Sequence, residues 1–269
     1  MSFVRKHLKK IALWAIFIYL AGGIALYFIQ EKLLFHPEVL PSDYQYKFDV
    51  PFQEMLIPVN KEVKLSAVLF KAEHPRGIVL YFHGNARNIK RYAKTMKNFT
   101  RNNYDVLILD YREFGKSTGR LSEKALYDDA LLMYNVARAR FTPSQIVIYG
   151  KSIGTGVATQ LAAVRDCKRL ILETPYYSLE DVASDVIPIY PVGWLLKYEL
   201  PTFEYLSKVT APVTIFHGTD DNTVPYESGK KLEQYFKKED EFVTLKGGRH
   251  NNLNDYPLFH EKLDSVMER

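Results

Sequence analysis

The stretch that decides the fold of this chain reads Ile146-Val147-Ile148-Tyr149-Gly150-Lys151-Ser152-Ile153-Gly154. Residues 145–149 form a short apolar run rich in β-branched side chains, which is typical of a strand buried on both faces. The next five residues fit the pattern G-x-S-x-G, and an alanine-rich helix is expected to follow as far as Val164. A strand, a sharp turn and a helix in this order indicate a nucleophile elbow. In such a turn Ser152 has a strained backbone and an exposed hydroxyl.

A second segment, Gly115-Lys116-Ser117-Thr118-Gly119, fits the same pattern. It follows the polar residues 111–113 instead of an apolar strand, and it continues into Arg120-Leu121-Ser122. A pattern match is only as good as its structural context, and here the flanking residues differ. Ser152 is therefore interpreted as the nucleophile and Ser117 as a loop residue near the site.

Size and composition limit the classes of protein to consider. The 269 residues, 47% hydrophobic and 25% charged, suit one globular α/β domain or two small ones. The net charge is +5, but residues 1–10 hold four basic side chains and no acid, so the other 259 residues carry 32 basic and 31 acidic side chains. A nearly neutral body excludes the charge pattern of a nucleic-acid-binding protein. A single cysteine, Cys167, excludes an intramolecular disulfide and a cysteine-rich metal site.

Residues 11–29 contain no charge, and as a helix they would be about 28 Å long, close to the roughly 30 Å of a bilayer's hydrocarbon core. The basic residues precede this run, so the positive-inside rule places the N-terminus in the cytoplasm and the body outside it. We interpret the run as a single-pass signal anchor. A signal peptide cleaved near Ala21 or Gly23 and a buried soluble helix are the alternatives. The predicted division is a basic tail (1–10), a transmembrane anchor (11–29), a connector (30–51) and a catalytic domain (52–269).

Strand and helix patterns alternate after an opening hairpin. This order predicts an α/β fold with a mostly parallel sheet covered on both faces, and ligands at the carboxyl ends of its strands. The predicted strands are 52–59, 63–70, 77–82, 104–109, 145–149, 169–172, 212–216 and 241–245, and the predicted helices are 89–100, 122–140, the segment ending at 164, 227–236 and 256–267.

A serine hydroxyl needs a neighbouring base, and the base needs an orienting acid. Of the three histidines beyond Ser152, His250 follows a strand through a loop with two glycines, whereas His217 lies directly at a strand end and His260 inside the last helix. His250 is therefore the predicted base. The candidate acids are Asp220 and Asp221, after the strand 212–216, and Glu173, after the strand 169–172.

Several segments together resemble the α/β-hydrolase superfamily, and within it the membrane-associated subgroup that includes depalmitoylating thioesterases and lipid esterases. The resemblance covers about residues 52–267. Glu113 and Arg87 depart from it, since the family often has glycine at both positions, and they could reshape the mouth of the pocket. The segments are His83-Gly84-Asn85-Ala86, Asp110-Tyr111-Arg112-Glu113-Phe114-Gly115-Lys116-Ser117, the elbow and Glu173-Thr174-Pro175.

The resemblance also assigns roles. The loop from His217 to Pro225 fits the family's acid loop, H-G-x-x-D-x-x-V-P, which implies Asp221 as the acid and leaves Asp220 at a variable position. The oxyanion hole needs two backbone amides, one from the residue after the nucleophile. These are predicted to be Ile153 and, from the loop after strand 77–82, Asn85 in preference to Ala86. His83 is interpreted as support for that loop.

Residues 175–209 interrupt the alternation and form the predicted lid, rich in aromatic side chains. Many of these pack the lid onto the sheet, and Tyr176, Tyr177 and Trp194 are the predicted substrate-binding residues. The implied function is a serine hydrolase that cleaves esters, thioesters or lipids through an acyl-enzyme, without a metal or organic cofactor. The alternatives are a lyase-like hydrolase, a peptidase of the prolyl-oligopeptidase type, and an inactive membrane-tethered interaction protein. The gating domain that is usual in such peptidases is not found within residues 52–267.

Overall fold

Residues 2–269, which the computed structural model describes with side chains from Arg5 onward, form an eight-stranded sheet covered by helices. The strand order is β10-β9-β8-β7-β4-β6-β3-β2, and β1 and β5 form a separate two-stranded pair. The strands are β1 (His36–Pro37), β2 (Phe52–Pro58), β3 (Lys64–Phe70), β4 (Gly77–Phe82), β5 (Ala86–Arg87), β6 (Tyr104–Leu109), β7 (Ile146–Lys151), β8 (Arg169–Glu173), β9 (Val213–Gly218) and β10 (Glu241–Leu245).

The α/β-hydrolase architecture predicted from the sequence is confirmed. Strands β4, β6, β7, β8, β9 and β10 run parallel, and the first five are buried at every residue, as continuous apolar runs require. The hairpin of β2 and β3 is antiparallel and lies at one edge of the sheet. Its turn is closed by the Asn60 side chain, which accepts hydrogen bonds from the amides of Glu62 and Val63.

Helices cover both faces of the sheet, and two of the predicted ones are wrong as single helices. The segment 89–100 changes to a 3₁₀ turn at Ala93–Thr95, where the Thr95 hydroxyl donates to the Tyr92 carbonyl and so competes with the α-helical pattern. The segment 227–236 becomes 3₁₀ over Lys231–Tyr235. The α-helices are α1 (Ser2–Leu34), α2 (Ile89–Tyr92), α3 (Lys97–Thr100), α4 (Glu123–Arg138), α5 (Gly154–Val164), α6 (Leu179–Val186), α7 (Val192–Leu195), α8 (Thr202–Leu206), α9 (Tyr226–Lys230) and α10 (Pro257–Glu268).

Helix α1 is long and apolar enough to cross a membrane. Its segment Arg5–Leu34 has a mean hydropathy of 2.1 over the most apolar 18 residues, and only 6% of that window is buried against the rest of the chain. The helix extends past both ends of the predicted span 11–29, into the predicted tail and into the predicted connector. The chain enters β1 two residues after the helix ends.

Candidate active site

The elbow holds Ser152 between the end of β7 and the start of α5. Ser152 has φ of 53°, in the left-handed region that a residue with a Cβ rarely adopts, as expected of a strained nucleophile turn. Both glycines of the motif are sterically required. A Cβ on Gly150 would lie 2.6 Å from the Gly154 carbonyl oxygen, and one on Gly154 would lie 2.2 Å from the Phe82 carbonyl oxygen. The turn thus packs tightly against β4.

Ser152, His250 and Asp221 form one hydrogen-bonded line. His250 Nε2 lies 2.9 Å from Ser152 Oγ, and His250 Nδ1 lies 2.8 Å from Asp221 Oδ2. The carboxylate can only accept, so His250 Nδ1 carries the proton of this hydrogen bond, and Nε2 is placed to accept from the serine hydroxyl. Each of the three residues is less than 10% exposed. This is the geometry that lets an imidazole remove the proton of a serine.

Asp221, and not its neighbour Asp220, is the carboxylate that the structure brings to His250. Asp221 Oδ1 accepts from the amides of Thr223 and Val224, at 2.8 and 2.9 Å. Burial raises the pKa of Asp221, but hydrogen bonds from His217, His250 and Val224 outweigh it and hold the pKa well below its usual range. The carboxylate is therefore ionised at neutral pH. Asp220 is exposed, and its side chain accepts only from the Thr219 hydroxyl.

The other two histidines beyond Ser152 lie elsewhere. His217 is fully buried, and its Nε2–H donates to the Val224 carbonyl at 3.1 Å and lies 3.5 Å from Asp221 Oδ2. His260 Nε2 donates to the Asn254 carbonyl at 2.8 Å. His217 thus supports the acid from its far side. The sequence analysis did not predict this contact. It used the position of His217 at a strand end only to prefer His250 as the base.

The loop after β4 lies directly beside the serine. A Cβ on Gly84 would lie 3.6 Å from Ser152 Cβ, so the backbone of residues 84–85 runs past the hydroxyl. Asn85 is fixed at two points, because its carbonyl accepts from the His36 amide (2.9 Å) and its side chain donates to the Leu34 carbonyl (2.6 Å). Among residues 5–269, the backbone amides of Asn85 and Ile153 have no hydrogen-bond acceptor. Both donors are free for an oxyanion.

His83 and Asp110 form a buried platform under this loop. Burial lowers the pKa of His83 to about 4, so the imidazole is neutral, and its Nδ1–H donates to the Gly84 carbonyl at 2.6 Å. Burial also raises the pKa of Asp110 to about 7, although its carboxylate accepts from the Ile89 amide at 2.8 Å. The Tyr111 hydroxyl donates to the His83 carbonyl at 2.7 Å. These contacts suit the support role predicted for His83.

Glu173, the alternative acid, ends β8, the neighbour of β7 in the sheet, and its side chain has partners other than His250. Its carboxylate accepts from the Lys151 ammonium and the Tyr149 hydroxyl, and its carbonyl accepts from the Ser152 amide at 2.9 Å. Burial and the charge of Glu173 hold the pKa of Tyr149 well above its usual range. The register of β7 and β8 pairs Lys151 with Glu173. The contact between their side chains follows from this pairing. The cluster fixes the strand end that carries the serine.

Ser117, in the second G-x-S-x-G segment, has hydrogen-bond partners outside the triad. The Ser117 hydroxyl donates to the Asp110 carbonyl (2.6 Å) and accepts from the Ser66 amide (2.8 Å), which ties the loop to β3.

The two departures from the family, Arg87 and Glu113, have a common backbone feature. Arg87 and Glu113 have φ of 67° and 70°, the left-handed conformation in which glycine is the usual residue.

The structure does not bring the three predicted substrate-binding aromatics together. Tyr176 is buried under the elbow, where its hydroxyl donates to the Ile153 carbonyl at 3.1 Å. Tyr177 stacks on Phe203 with ring centroids 4.4 Å apart. Trp194, on α7, is 90% exposed. Their part in substrate binding stays a prediction, and only Tyr176 contacts a residue of the elbow.

A polar cleft of ≈ 850 Å³ is lined in part by Lys151 and Asn251, the chain neighbours of Ser152 and His250. Within the part of the chain with described side chains, Arg91, Lys94 and Lys97 on its wall form no ion pair with a carboxylate. The cleft is therefore electropositive, with six basic lining residues against the two acids Glu38 and Asp255. Its walls consist of Glu38, Tyr81, Arg87, Asn88, Lys90, Arg91, Tyr92, Lys94, Thr95, Lys97, Asn98, Lys151, Asn251, Asn254, Asp255 and His260.

Sequence comparisons relate the chain to serine hydrolases. A family model described as serine aminopeptidase, S33, matches residues 73–207, half of the chain. The α/β-hydrolase domain-containing protein 17C of Xenopus tropicalis is 33% identical over 196 residues, which are 71% of this chain and 62% of the relative. The lysophosphatidylserine lipase ABHD12 of Danio rerio is 28% identical over 281 residues, with 84% of this chain and 72% of the relative covered. The chain thus spans about 62% of the length of the first of these relatives.

Solved structures share the fold at low sequence identity. An esterase of Pyrococcus furiosus, Pf2001, aligns with a TM-score of 0.66 and 17% identity, over 87% of this chain and 98% of that one. A soluble variant of the monoglyceride lipase of Saccharomyces cerevisiae, in complex with a substrate analogue, aligns with a TM-score of 0.62 and 16% identity, over 85% and 97%. At these identities the likeness establishes the fold alone.

Proposed function

The chain belongs to the α/β-hydrolase superfamily, within the family that the serine aminopeptidase S33 model describes, and on that premise we propose that it is a membrane-anchored serine hydrolase of esters or thioesters. One observation carries the proposal: the unbroken line from Ser152 Oγ through His250 to Asp221, with distances of 2.9 and 2.8 Å. The catalytic domain is proposed to comprise residues 52–269.

The proposed reaction proceeds through an acyl-enzyme. Ser152 Oγ attacks the carbonyl carbon of the substrate while His250 Nε2 takes its proton, and the imidazolium that forms is stabilised by the ionised Asp221. The amides of Asn85 and Ile153 donate to the oxyanion. His250 then gives the proton to the leaving alcohol or thiol, and water repeats the sequence on the acyl-enzyme to release the acid.

The polar cleft favours an ester that carries an anionic group. Arg91, Lys94 and Lys97 can pair with a phosphate or carboxylate while the ester carbonyl lies at Ser152. The relative named a lysophosphatidylserine lipase points to the same class of substrate, a lipid with one acyl chain and an anionic head. We therefore propose an anionic lysolipid as the preferred substrate, with neutral esters and thioesters as slower ones.

We expect the full-length protein in lipid nanodiscs to be labelled by a fluorophosphonate probe and to hydrolyse esters. An anionic lysophospholipid should exceed a monoacylglycerol of the same chain length by about tenfold in kcat/KM, since hydrogen bonds to charged groups contribute roughly 1.5–3 kcal/mol. Product analysis by mass spectrometry measures both rates. A faster neutral substrate would refute the anionic preference and leave the hydrolase intact.

The same preparation tests two of the three alternatives, the peptidase and the inactive interaction protein. Turnover of a peptide amide, with no turnover of any ester, would favour a peptidase. Absence of both labelling and turnover would favour an inactive interaction protein, although the three triad residues and both elbow glycines are present. The triad geometry supports an active enzyme over the latter.

The orientation in the membrane is part of the proposal. Arg5, Lys6, Lys9 and Lys10 precede the apolar part of α1, which supports a cytoplasmic N-terminus and an extracytoplasmic catalytic domain. A reporter that is active only outside the cytoplasm, fused after Arg269, is expected to be active. A silent reporter, with activity recovered by a cytoplasmic reporter at the same position, would reverse the orientation.

A further inference from the structure

An apolar groove of ≈ 290 Å³ lies between the last turns of α1 and the lid helices. Gln30 is the one polar residue in its lining. The polar side-chain atoms of Gln30 are hydrogen-bonded to backbone groups. Its Nε2 donates to the carbonyls of Tyr27 and Leu195, and its Oε1 accepts from the Lys197 amide. The groove therefore presents an apolar surface. Its lining residues are Leu26, Gln30, Leu33, Leu34, Leu179, Val182, Ala183, Val186, Ile187, Val192, Leu195 and Leu196.

The lid is fixed to α1 far along the helix. Tyr190 stacks on Tyr19 with ring centroids 4.7 Å apart, and its hydroxyl donates to the Tyr19 carbonyl at 3.1 Å. In return the Tyr19 hydroxyl donates to the Ile189 carbonyl at 2.9 Å. A Cβ on Gly22 would lie 2.2 Å from the Tyr190 hydroxyl, so the bare backbone there makes room for the ring. The contacts from Tyr19 to Gln30 extend over about 17 Å of helix.

This contact sets the depth of the lid. Tyr19 to Gln30 is more than half of the apolar segment of α1, so a lid that packs there lies beside the part of the helix that the bilayer surrounds. The lid surface agrees, because Val186, Ile189 and Trp194 are 74%, 70% and 90% exposed. Exposed apolar side chains grouped in this way are expected to contact another apolar phase. Here that phase is the hydrocarbon of the bilayer.

One residue that lines the groove contacts a residue of the candidate active site. Leu34 lines the groove, and its carbonyl accepts from the Asn85 side chain, while the His36 amide donates to the Asn85 carbonyl. Asn85 is the proposed oxyanion donor beside Ser152. The wall of the groove at Leu34 is thus adjacent to the loop that carries the proposed oxyanion donor.

We propose that α1 and the lid form a lateral passage that takes the acyl chain of a bilayer-resident lipid ester from the hydrocarbon to Ser152. Helix α1 is then a substrate-binding element as well as an anchor. The inference rests on the proposed hydrolase function and names its acyl-chain site. The volume is near the lower end of ligand pockets, roughly 300–1,000 Å³, as suits a single acyl chain with its head outside.

The test obstructs the passage from the lid side. Ala183 lines the groove, so Ala183→Trp fills it. Ser184 on the same helix is exposed and lies outside the groove, so Ser184→Trp is the matched control. The readout is the ratio of kcat/KM for dodecanoyl and acetyl p-nitrophenyl esters, measured with the full chain in nanodiscs. Each methylene that enters the groove should raise kcat/KM about fourfold, from about 0.8 kcal/mol per buried CH₂.

We expect Ala183→Trp to lower this ratio at least tenfold and Ser184→Trp to leave it within twofold of the wild type. An unchanged ratio in Ala183→Trp, with fluorophosphonate labelling retained, would overturn the passage and leave the hydrolase function standing. Should Ala183→Trp lose labelling, Leu33→Trp fills the same groove from α1 and is read by the same ratio. A wild type that neither labels nor hydrolyses any ester overturns the proposed function itself.

Discussion

Replacing Ser152 by alanine is expected to abolish ester hydrolysis, with kcat lowered by about 10⁶-fold, the loss found when the nucleophile of a serine protease is removed. Among the side chains from Arg5 onward, the Ser152 hydroxyl has one hydrogen-bond partner, His250, so its removal leaves the elbow's backbone contacts in place. Kinetics with p-nitrophenyl esters and labelling by a fluorophosphonate probe measure the effect, and circular dichroism verifies the fold.

Ser117→Ala is the matched control for this variant, because Ser117 has the same G-x-S-x-G context without the triad. It removes two buried hydrogen bonds, one to the Asp110 carbonyl and one from the Ser66 amide, and should cost about 1–3 kcal/mol of stability, with labelling retained. A Ser152→Ala protein that is still labelled, or a Ser117→Ala protein that is folded and unlabelled, would contradict the assignment.

Asp221→Asn is expected to lower kcat by about 10⁴-fold, as neutralising a triad acid does. The asparagine can still accept from the amides of Thr223 and Val224, so the loop is retained. However, an amide NH₂ facing His250 Nδ1 would favour the wrong tautomer and could not stabilise the imidazolium. Steady-state kinetics at neutral pH, where the native carboxylate is ionised, measure the loss.

Asp220→Asn provides the comparison for the acid. The Asp220 side chain is exposed and faces the Thr219 hydroxyl, so its replacement should change kcat by less than twofold. A large loss in Asp220→Asn together with a small one in Asp221→Asn would show that the acid loop is assigned one residue out of register.

Much of the fold could be predicted because its determinants are local. The buried strands are continuous apolar runs, and the elbow's glycines stand where any Cβ would meet backbone within 2.6 Å. The carboxyl ends of parallel strands meet at one edge, so Ser152, Asp221 and His250 were expected near one another before any distance was known. Their catalytic roles stay predictions that the variants above test.

Contacts between distant segments could not be predicted in the same way. The packing of Tyr190 on Tyr19 joins residues 171 positions apart, and nothing local in either segment indicates the partner. The contact of His217 with Asp221 is local, four residues apart, but the sequence pattern did not show which way the imidazole faces. For the lid aromatics, composition indicated an apolar surface but not its direction, so Trp194, chosen for a pocket, lies 90% exposed on the outer face.

The most direct test of the central claim, that Ser152 is the nucleophile of a hydrolase, is to locate the adduct of a fluorophosphonate probe on the full-length protein by tryptic mass spectrometry. Cleavage after Lys151 and Arg165 releases residues 152–165, and cleavage after Lys116 and Arg120 releases residues 117–120, so the two candidate serines fall in separate peptides. We predict a stoichiometric adduct on Ser152 in the peptide 152–165. An adduct on the peptide 117–120, or an unmodified peptide 152–165 at saturating probe, would contradict the account.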